Sequence, residues 1–185
     1  LLNYGTGNAQ GLQYEFNNDT AYFKKSIEDD SALESSGTRI YNQLAMRYNY
    51  ITPSWFYAIP EVSVRTVNTF YDQDSQNGRG LSSDDLEKSV VVPQLSFATG
   101  ITFEKEGKYL QSISPRAFYA YAPYRNQENH PNFDTTTASI SYDQLFNPYR
   151  FYGHDRLDDN NFLSLGVSYN LIDPEGLERI RASVG

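Results

Sequence analysis

The stretch VVPQLSFATGITFE, Val91 to Glu104, alternates along its whole length. Val91, Pro93, Leu95, Phe97, Thr99, Ile101 and Phe103 fall on one face. Val92, Gln94, Ser96, Ala98, Gly100, Thr102 and Glu104 fall on the other. Successive side chains of a strand point to opposite faces. The stretch therefore predicts a strand that is oily on one side and small or polar on the other for about fourteen residues. A strand of that length suits a tilted crossing of a membrane.

Working outward, the same period of two predicts seven strands, near 10–17, 38–51, 55–71, 89–104, 109–122, 160–173 and 177–185. Ile40, Leu44, Met46, Tyr48 and Tyr50 oppose Arg39, Gln43, Arg47 and Asn49. Val62, Val64, Thr66 and Phe70 oppose Glu61, Ser63, Arg65 and Thr69. Leu163, Leu165, Val167, Tyr169 and Leu171 oppose Ser164, Gly166, Ser168 and Asn170, and Ile180, Ala182 and Val184 oppose Arg179, Arg181 and Ser183. The first strand, with Leu12, Tyr14 and Phe16 against Gln13, Glu15 and Asn17, is the least clear.

SISPRAFYAYAPYRNQ, Ser112 to Gln127, carries two prolines, an arginine and a run of aromatics. A proline in mid-strand removes a ladder donor, and in a helix it is worse. Read with period two, Ile113, Pro115, Ala117, Tyr119 and Tyr121 share the oily face. Arg116 points the other way, and the tyrosines lie near one end, where an aromatic girdle would sit. Pro115 still costs a hydrogen bond.

The connections alternate in length. Those after Ile51, Glu104 and Ile172 are short: TPSWFYAIP at most, KEGK and DPEG. Those at 27–37, 72–88 and 124–160 are long and acidic. Short turns at one end and long loops at the other are the layout of an outer-membrane barrel. The fold expected is all-β: an antiparallel transmembrane β-barrel segment, with residues 1–185 a partial barrel domain. Seven is an odd number of strands, and two open edges in lipid would leave backbone groups unsatisfied, so more strands are expected elsewhere. A soluble β-sandwich or jelly roll also alternates. Charged residues on the polar face of nearly every strand, the strand length and the loop asymmetry favour the barrel.

Bulk composition alone reads as soluble and acidic: 185 residues, net charge −8 and mean hydropathy −0.61. That charge disfavours nucleic acid as a partner. No apolar run reaches the length of a transmembrane helix, and LLNYGTGNAQ lacks the features of a secretory leader. Cysteine is absent, which removes disulfide and thiol chemistry from this segment. The 16 tyrosines suit a surface where rings meet both an apolar and a wet phase.

No chemical motif survives scrutiny. GTGNAQG, Gly5 to Gly11, misplaces the third glycine of a dinucleotide fingerprint. DQDSQNGRG, Asp72 to Gly80, puts Asn77 where a calcium loop needs glycine and Ser83 where it needs glutamate. SSDDLEK at 82–88 and SYDQLFNP at 141–148 have N-cap-like starts and predict one-turn loop helices. His130 and His154 have no partners at metal-ligand spacing and are expected in loops. No nucleophile–base pair can be argued, so neither catalysis nor a cofactor is expected. The polar-face arginines Arg39, Arg47, Arg65, Arg116, Arg179 and Arg181 either pair with lumen acids such as Glu15, Glu61 and Glu104, or grip a polyanion passing through the lumen.

The stretch 109–135 resembles the LPS-assembly outer-membrane protein family, LptD/OstA. Pro115, Arg116, Tyr119, Tyr121, Pro123, Tyr124, Arg125, Gln127, Phe133 and Asp134 carry the likeness. Gln144, Leu145, Phe146, Arg150, Phe151, Gly153, Asp155, Arg156, Asn160, Leu165 and Gly166 continue it, and DPEGLERIRASVG matches the family's closing motif. Asp159 departs from the alanine frequent there. The resemblance implies a very large barrel preceded by a periplasmic jelly-roll domain. It implies that lipopolysaccharide arrives over periplasmic bridge proteins that reach that domain, and is inserted in the outer leaflet of a Gram-negative outer membrane. It further implies a plug lipoprotein inside the barrel, and disulfides whose partners lie outside this cysteine-free segment. The alternatives are another transport barrel, porin or gated receptor, and a soluble glycan-binding sandwich.

The longest loop, 124–160, holds Phe133, Tyr142, Leu145, Phe146, Tyr149, Phe151 and Tyr152, more apolar surface than solvent tolerates. It is expected to fold over the barrel mouth or into the lumen with Leu145 and Phe146 buried. Leu145, Phe146, Tyr149 and Phe151 would meet either the plug lipoprotein or neighbouring loops.

Overall fold

The computed structural model describes residues 2–5, 10–24, 36–53, 55–72, 86–127, 130 and 132–185. One antiparallel sheet dominates. β1 (Leu2–Gly5), β2 (Gly11–Phe23), β3 (Gly37–Ile51), β4 (Tyr57–Tyr71) and β5 (Glu87–Gly100) follow one another in space as in sequence. β6 (Phe103–Lys105) continues from β5 beside β7 (Leu110–Ala122), and β10 (Asn160–Ile172) and β11 (Glu178–Val184) complete the order. β8 (Thr136–Thr137) and β9 (Phe151–Tyr152) form a separate two-stranded ribbon within the β7–β10 connection. The sheet does not close on itself among the described residues: β1 and β11 are its edges.

Every expected strand is present. β2 runs further than its alternation suggested, and β1 was not expected. Gly5 and Gly11 close β1 and open β2, and Gly11 takes a φ of 96° that suits glycine alone. The calcium-like residues 73–80 and most of 82–88 lie outside the described residues. Glu87 and Lys88 of that stretch open β5, so they extend rather than coil.

Pro115 explains the interruption between β5 and β6. Both pieces keep one register on β7, from Gly100↔Arg116 to Phe103↔Ile113. Ile101 N donates to Pro115 O at 3.2 Å. A strand residue's N–H and C=O point the same way. The donor that proline lacks therefore faces this gap, where the Thr102 and Ser114 hydroxyls meet at 2.9 Å. Pro123, the other proline of that stretch, lies just beyond the end of β7.

The two faces differ as the alternation demands. Leu44, Met46, Val62, Val64, Leu95, Phe97, Leu163 and Leu165 are exposed on the outer one. Arg39, Tyr41, Ala45, Arg65, Val67, Val92, Gln94 and Phe118 are buried on the inner one. An exposed apolar face of this extent is what lipid would cover. No helix of the described residues is long and apolar enough to cross a membrane, which says nothing of a barrel that crosses with strands.

Candidate functional site

What buries the inner face is the chain itself. Residues 123–127 and 132–159 fold back from the long-loop rim and lie along it. Three fastenings hold them.

The first is at the rim. The Arg39 guanidinium is 1% exposed. It donates to both carboxylate oxygens of Asp134 and, at 2.7 Å, to Asp155. Asp19 of β2 stands 3.5 Å away. Asp155 also accepts from Phe133 N at 2.9 Å, Asp134 N at 2.8 Å and Thr135 Oγ1 at 3.3 Å. Phe133 stacks on Phe23 at 4.5 Å. Burial opposes the Asp134 charge, but the hydrogen bonds with Arg39 and Asp155 outweigh it and hold this carboxyl below its usual range. Gly153 turns the chain here with φ 85°, and a Cβ would meet Asp134 Oδ1 at 2.6 Å.

The second lies deeper. Tyr149 accepts from Gln43 Nε2 at 3.2 Å, and Arg65 sits 4.8 Å over its ring. Arg65 donates to Gln94 at 2.6 Å and faces Asp158 at 3.9 Å. Asp158 accepts from Arg150 Nε at 3.1 Å, yet burial dominates and raises its pKa. Gln127 exchanges two bonds with Leu157, at 2.8 and 2.9 Å, and Leu157 packs with Tyr41, Val67 and Val92. The third is lowest. Ser141 Oγ caps Gln144 N at 3.1 Å at the head of a one-turn 3-10 helix, Asp143–Phe146. Arg116 lies over the rings of Tyr142 and Phe146, at 4.3 and 3.7 Å, and donates to Asp143 at 2.9 Å.

The expected loop helix at 141–148 is thus one turn long, and the aromatic segment packs on strands rather than only on other loops. Leu145 and Phe146 are half-buried, not buried: Phe146 packs under Arg116 and beside Gly166, and Leu145 lies by Gly185, next to the edge strand β11. Tyr149 is also half-buried, and Phe151 sits in the β8–β9 ribbon.

The arginines separate by depth. Arg39 and Arg65 are enclosed, held by Asp134, Asp155, Gln94 and Tyr149, although the Nε of each is left without a hydrogen-bond partner among the described residues. Arg47 is half-exposed, 3.4 Å from Glu15 and 3.7 Å from Glu61. Arg179 pairs with Asp173 at 2.6 Å, and Arg181 with Glu178 at 2.6 Å, both on the exposed end of the sheet. Glu104 is exposed on β6. Below Tyr149 the inner face keeps a cavity of about 490 Å³, lined by Gln13, Glu15, Arg47, Asn49 and Glu61 among others. Alternation located these arginines; it could not supply Asp134 and Asp155, which come from the far side of the sequence. Tyr41 was missed, although a large ring in an otherwise polar row was a signal.

Gly166 permits the lowest fastening. A Cβ there would lie 2.6 Å from Phe146 and 2.9 Å from Tyr142. Gly166→Val is expected to lift the 142–146 turn and leave β10 paired. Hydrogen exchange should speed up at 142–147 and stay unchanged at 160–172; unchanged exchange in the turn would refute the contact.

His154 stacks on Tyr41 at 4.0 Å, 13° from parallel, and its Nε2 is 3.8 Å from Asp19. Burial, then the Arg39 charge, lowers its pKa against the pull of Asp19, Asp134 and Asp155. His130 is shifted the same way by burial, Arg156 and Lys88. A depressed histidine favours the seated state while neutral; that advantage shrinks as pH falls below about 6.5, where the released residue takes up a proton first. Asp158, with its raised pKa, acts in the opposite direction. Exchange at 130–158, corrected for intrinsic rates, should therefore rise between about pH 7.5 and 5.5, and His154→Gln should flatten the rise. An equal rise in the variant would exclude His154 as its source. No group of three or more potential metal ligands occurs among the described residues.

Comparison with known proteins gives a consistent picture. The family model described as LPS transport system D matches residues 2–185. The chain is 74% identical over 185 residues to the LPS-assembly protein LptD of Acinetobacter baumannii, covering 100% of the chain and 22% of that protein. It is 70% identical to the protein of the same name in Acinetobacter baylyi, covering 100% of the chain and 23% of that protein. It is 30% identical to that of Pseudomonas aeruginosa over 203 residues, covering 95% of the chain and 22% of that protein. The chain thus spans about a fifth of the length of the curated relatives it matches. Many residues that carry the sequence likeness are those that seat the segment: Gln127, Phe133, Asp134, Arg150, Gly153, Asp155 and Gly166.

Proposed function

Because this chain belongs to the LPS transport system D family, we propose that residues 1–185 are one stretch of an outer-membrane barrel that receives lipopolysaccharide and inserts it into the outer leaflet, assembling the cell surface. The observation that carries this reading is the pairing of an exposed apolar outer face with a polar inner face that holds a folded segment of its own chain. A soluble sandwich would bury the first, and a porin would leave the second open to water. The relatives are named for assembly of LPS, and no catalytic role is assigned. The location is the Gram-negative outer membrane, with the remaining strands and the periplasmic domain supplied by the rest of the protein. Bridge proteins deliver the substrate to that domain. The plug lipoprotein meets the side of the seated segment that faces away from the sheet, through Leu145, Phe146 and Phe151. Of the six arginines, Arg47 beside the open cavity is best placed to meet a polyanion.

A photo-crosslinker at Gln13 or Arg47 of the full-length protein tests the reading. Adducts with lipopolysaccharide at these positions, and phospholipid adducts at Leu95, are expected. Lipopolysaccharide adducts at Leu95 and none at the cavity would overturn it. A crosslinker at Phe146 or Phe151 tests the lipoprotein contact, and adducts confined to barrel loops would remove it.

A further inference from the structure

A pocket of about 360 Å³ opens at the long-loop rim, where the chain leaves β7 and crosses the top of the wall. Its lining carries three guanidiniums, Arg125, Arg150 and Arg156, against one carboxylate, Asp159. That balance runs against the chain as a whole, whose net charge is −8. Arg150 is taken: it donates to Asp158 at 3.1 Å and to Asp159 at 2.7 Å. The other two have no carboxylate partner among the described residues. Arg125 donates to Val91 O at 3.3 Å, and Arg156 to Gln127 O at 2.7 Å. Each keeps further N–H groups and an unneutralised charge at the pocket wall. Two such cations on one small pocket repel each other, and an anion between them relieves that.

The rest of the lining narrows the ligand. Guanidinium forks match the oxygens of a phosphate. Asn132 and Thr137 add an exposed amide and an exposed hydroxyl, and Tyr124, 65% exposed, adds a ring. Amide, hydroxyl and ring suit the hydroxyls and the apolar face of a sugar. The volume is at the lower end of small-molecule pockets, about 300–1,000 Å³, so it takes a short saccharide rather than a long chain. Position narrows the source. Arg125 reaches Val91, which is exposed on the outer face, while Leu157 across the pocket is buried with Tyr41, Val67 and Val92 on the inner one. The pocket therefore straddles the upper edge of the wall, beside the headgroups of the outer leaflet.

We propose that this rim pocket binds a phosphorylated saccharide, with Arg125 and Arg156 on the phosphate, and that the saccharide is the headgroup of lipopolysaccharide already resident in the outer leaflet. The site is separate from the cavity beside Arg47, with which it shares no lining residue. The lipid source rests on the transport reading above; the phosphosugar chemistry does not.

The first test titrates the full-length protein in phosphatidylcholine nanodiscs with glucosamine 1-phosphate, by calorimetry. Saturable binding is expected, tighter than that of inorganic phosphate and absent for glucosamine. Arg125→Gln should weaken it about tenfold or more, the worth of a charge-assisted hydrogen bond. Asp159→Asn should strengthen it, because it removes the pocket's carboxylate and releases Arg150; damage to the fold would weaken it instead. No binding, or binding that neither variant moves, would overturn the site. Equal binding of inorganic phosphate would overturn the saccharide. Binding lost in Arg47→Gln and kept in Arg125→Gln would place the phosphate in the lumen cavity and also overturn the site. The second test places a photo-crosslinker at Tyr124 of the full-length protein in its own outer membrane. Lipopolysaccharide adducts are expected there, fewer of them with Arg125→Gln. Adducts at Gln13 or Arg47 but none at Tyr124 would overturn the headgroup as the source and leave the transport reading standing. Adducts at none of the three would sink that reading too, while the calorimetry still decides the pocket.

Discussion

Asp155→Ala is expected to free residues 130–158 from the sheet. Asp155 is 2% exposed and satisfies four donors at once: Arg39, Phe133 N, Asp134 N and Thr135 Oγ1. Its removal leaves a buried guanidinium short of a counter-charge and two backbone amides without acceptors. Breaking a buried pair from one side costs about 3–5 kcal/mol. That corresponds to a rise of roughly a hundred- to a thousandfold or more in the open population. Amide exchange and protease cleavage at 130–158 in the full-length protein should increase by that order, with the strands unaffected. Arg39→Met combined with Asp155→Leu should cost less than the two single changes summed, because neither buried charge then remains alone. Protection that survives Asp155→Ala would mean that the two deeper fastenings suffice.

The second large effect is depth-dependent. Leu44 is the central residue of β3, 58% exposed on the outer face and paired with Val64 and Phe16. Arginine there would lie near the bilayer midplane and cost about 2–4 kcal/mol. Phe70 is exposed on the same face but next to the long-loop end of β4. Phe70→Arg should cost about 0–1 kcal/mol, since its charge reaches the headgroups. Unfolding of the two variants from bilayers measures the difference. Equal costs would refute the membrane depth assigned to these strands.

The strands were legible because one side chain in two meets lipid, and that rhythm survives whatever the inner face does. It weakens where polar residues interrupt the rhythm on either face. Beyond Asn17, β2 carries Asn18 and Asp19, which look like the start of a loop. In the structure Asn18 donates to Asn42 at 2.7 Å and Asp19 faces Arg39, so a neighbouring strand makes these polar residues acceptable. β1 is four residues long, too short to show a period, and is a strand because β2 pairs with it. The aromatic excess of 124–160 announced that the loop needed a surface. It could not name the surface. Arg39 meets Asp134 and Asp155 across 95 and 116 residues, a relation that no local pattern contains. Neither did the pattern show that the acids of Arg39 and Arg116 would come from the loop, while Arg47 keeps Glu15 and Glu61 on the adjacent strands.

The seated segment has an electrical consequence. A barrel of this kind without inner chain holds a column of water, and small ions cross it freely, as in porins. Here Tyr149, Leu157 and the Arg39–Asp155 cluster occupy the inner face from the rim to mid-height. They replace mobile water with packed side chains and paired charges. Reconstituted in a planar bilayer, the protein should therefore be a poor conductor along this wall. Releasing the segment would open a path for ions and small hydrophilic antibiotics. The contacts that seat one loop are then also part of the membrane's insulation.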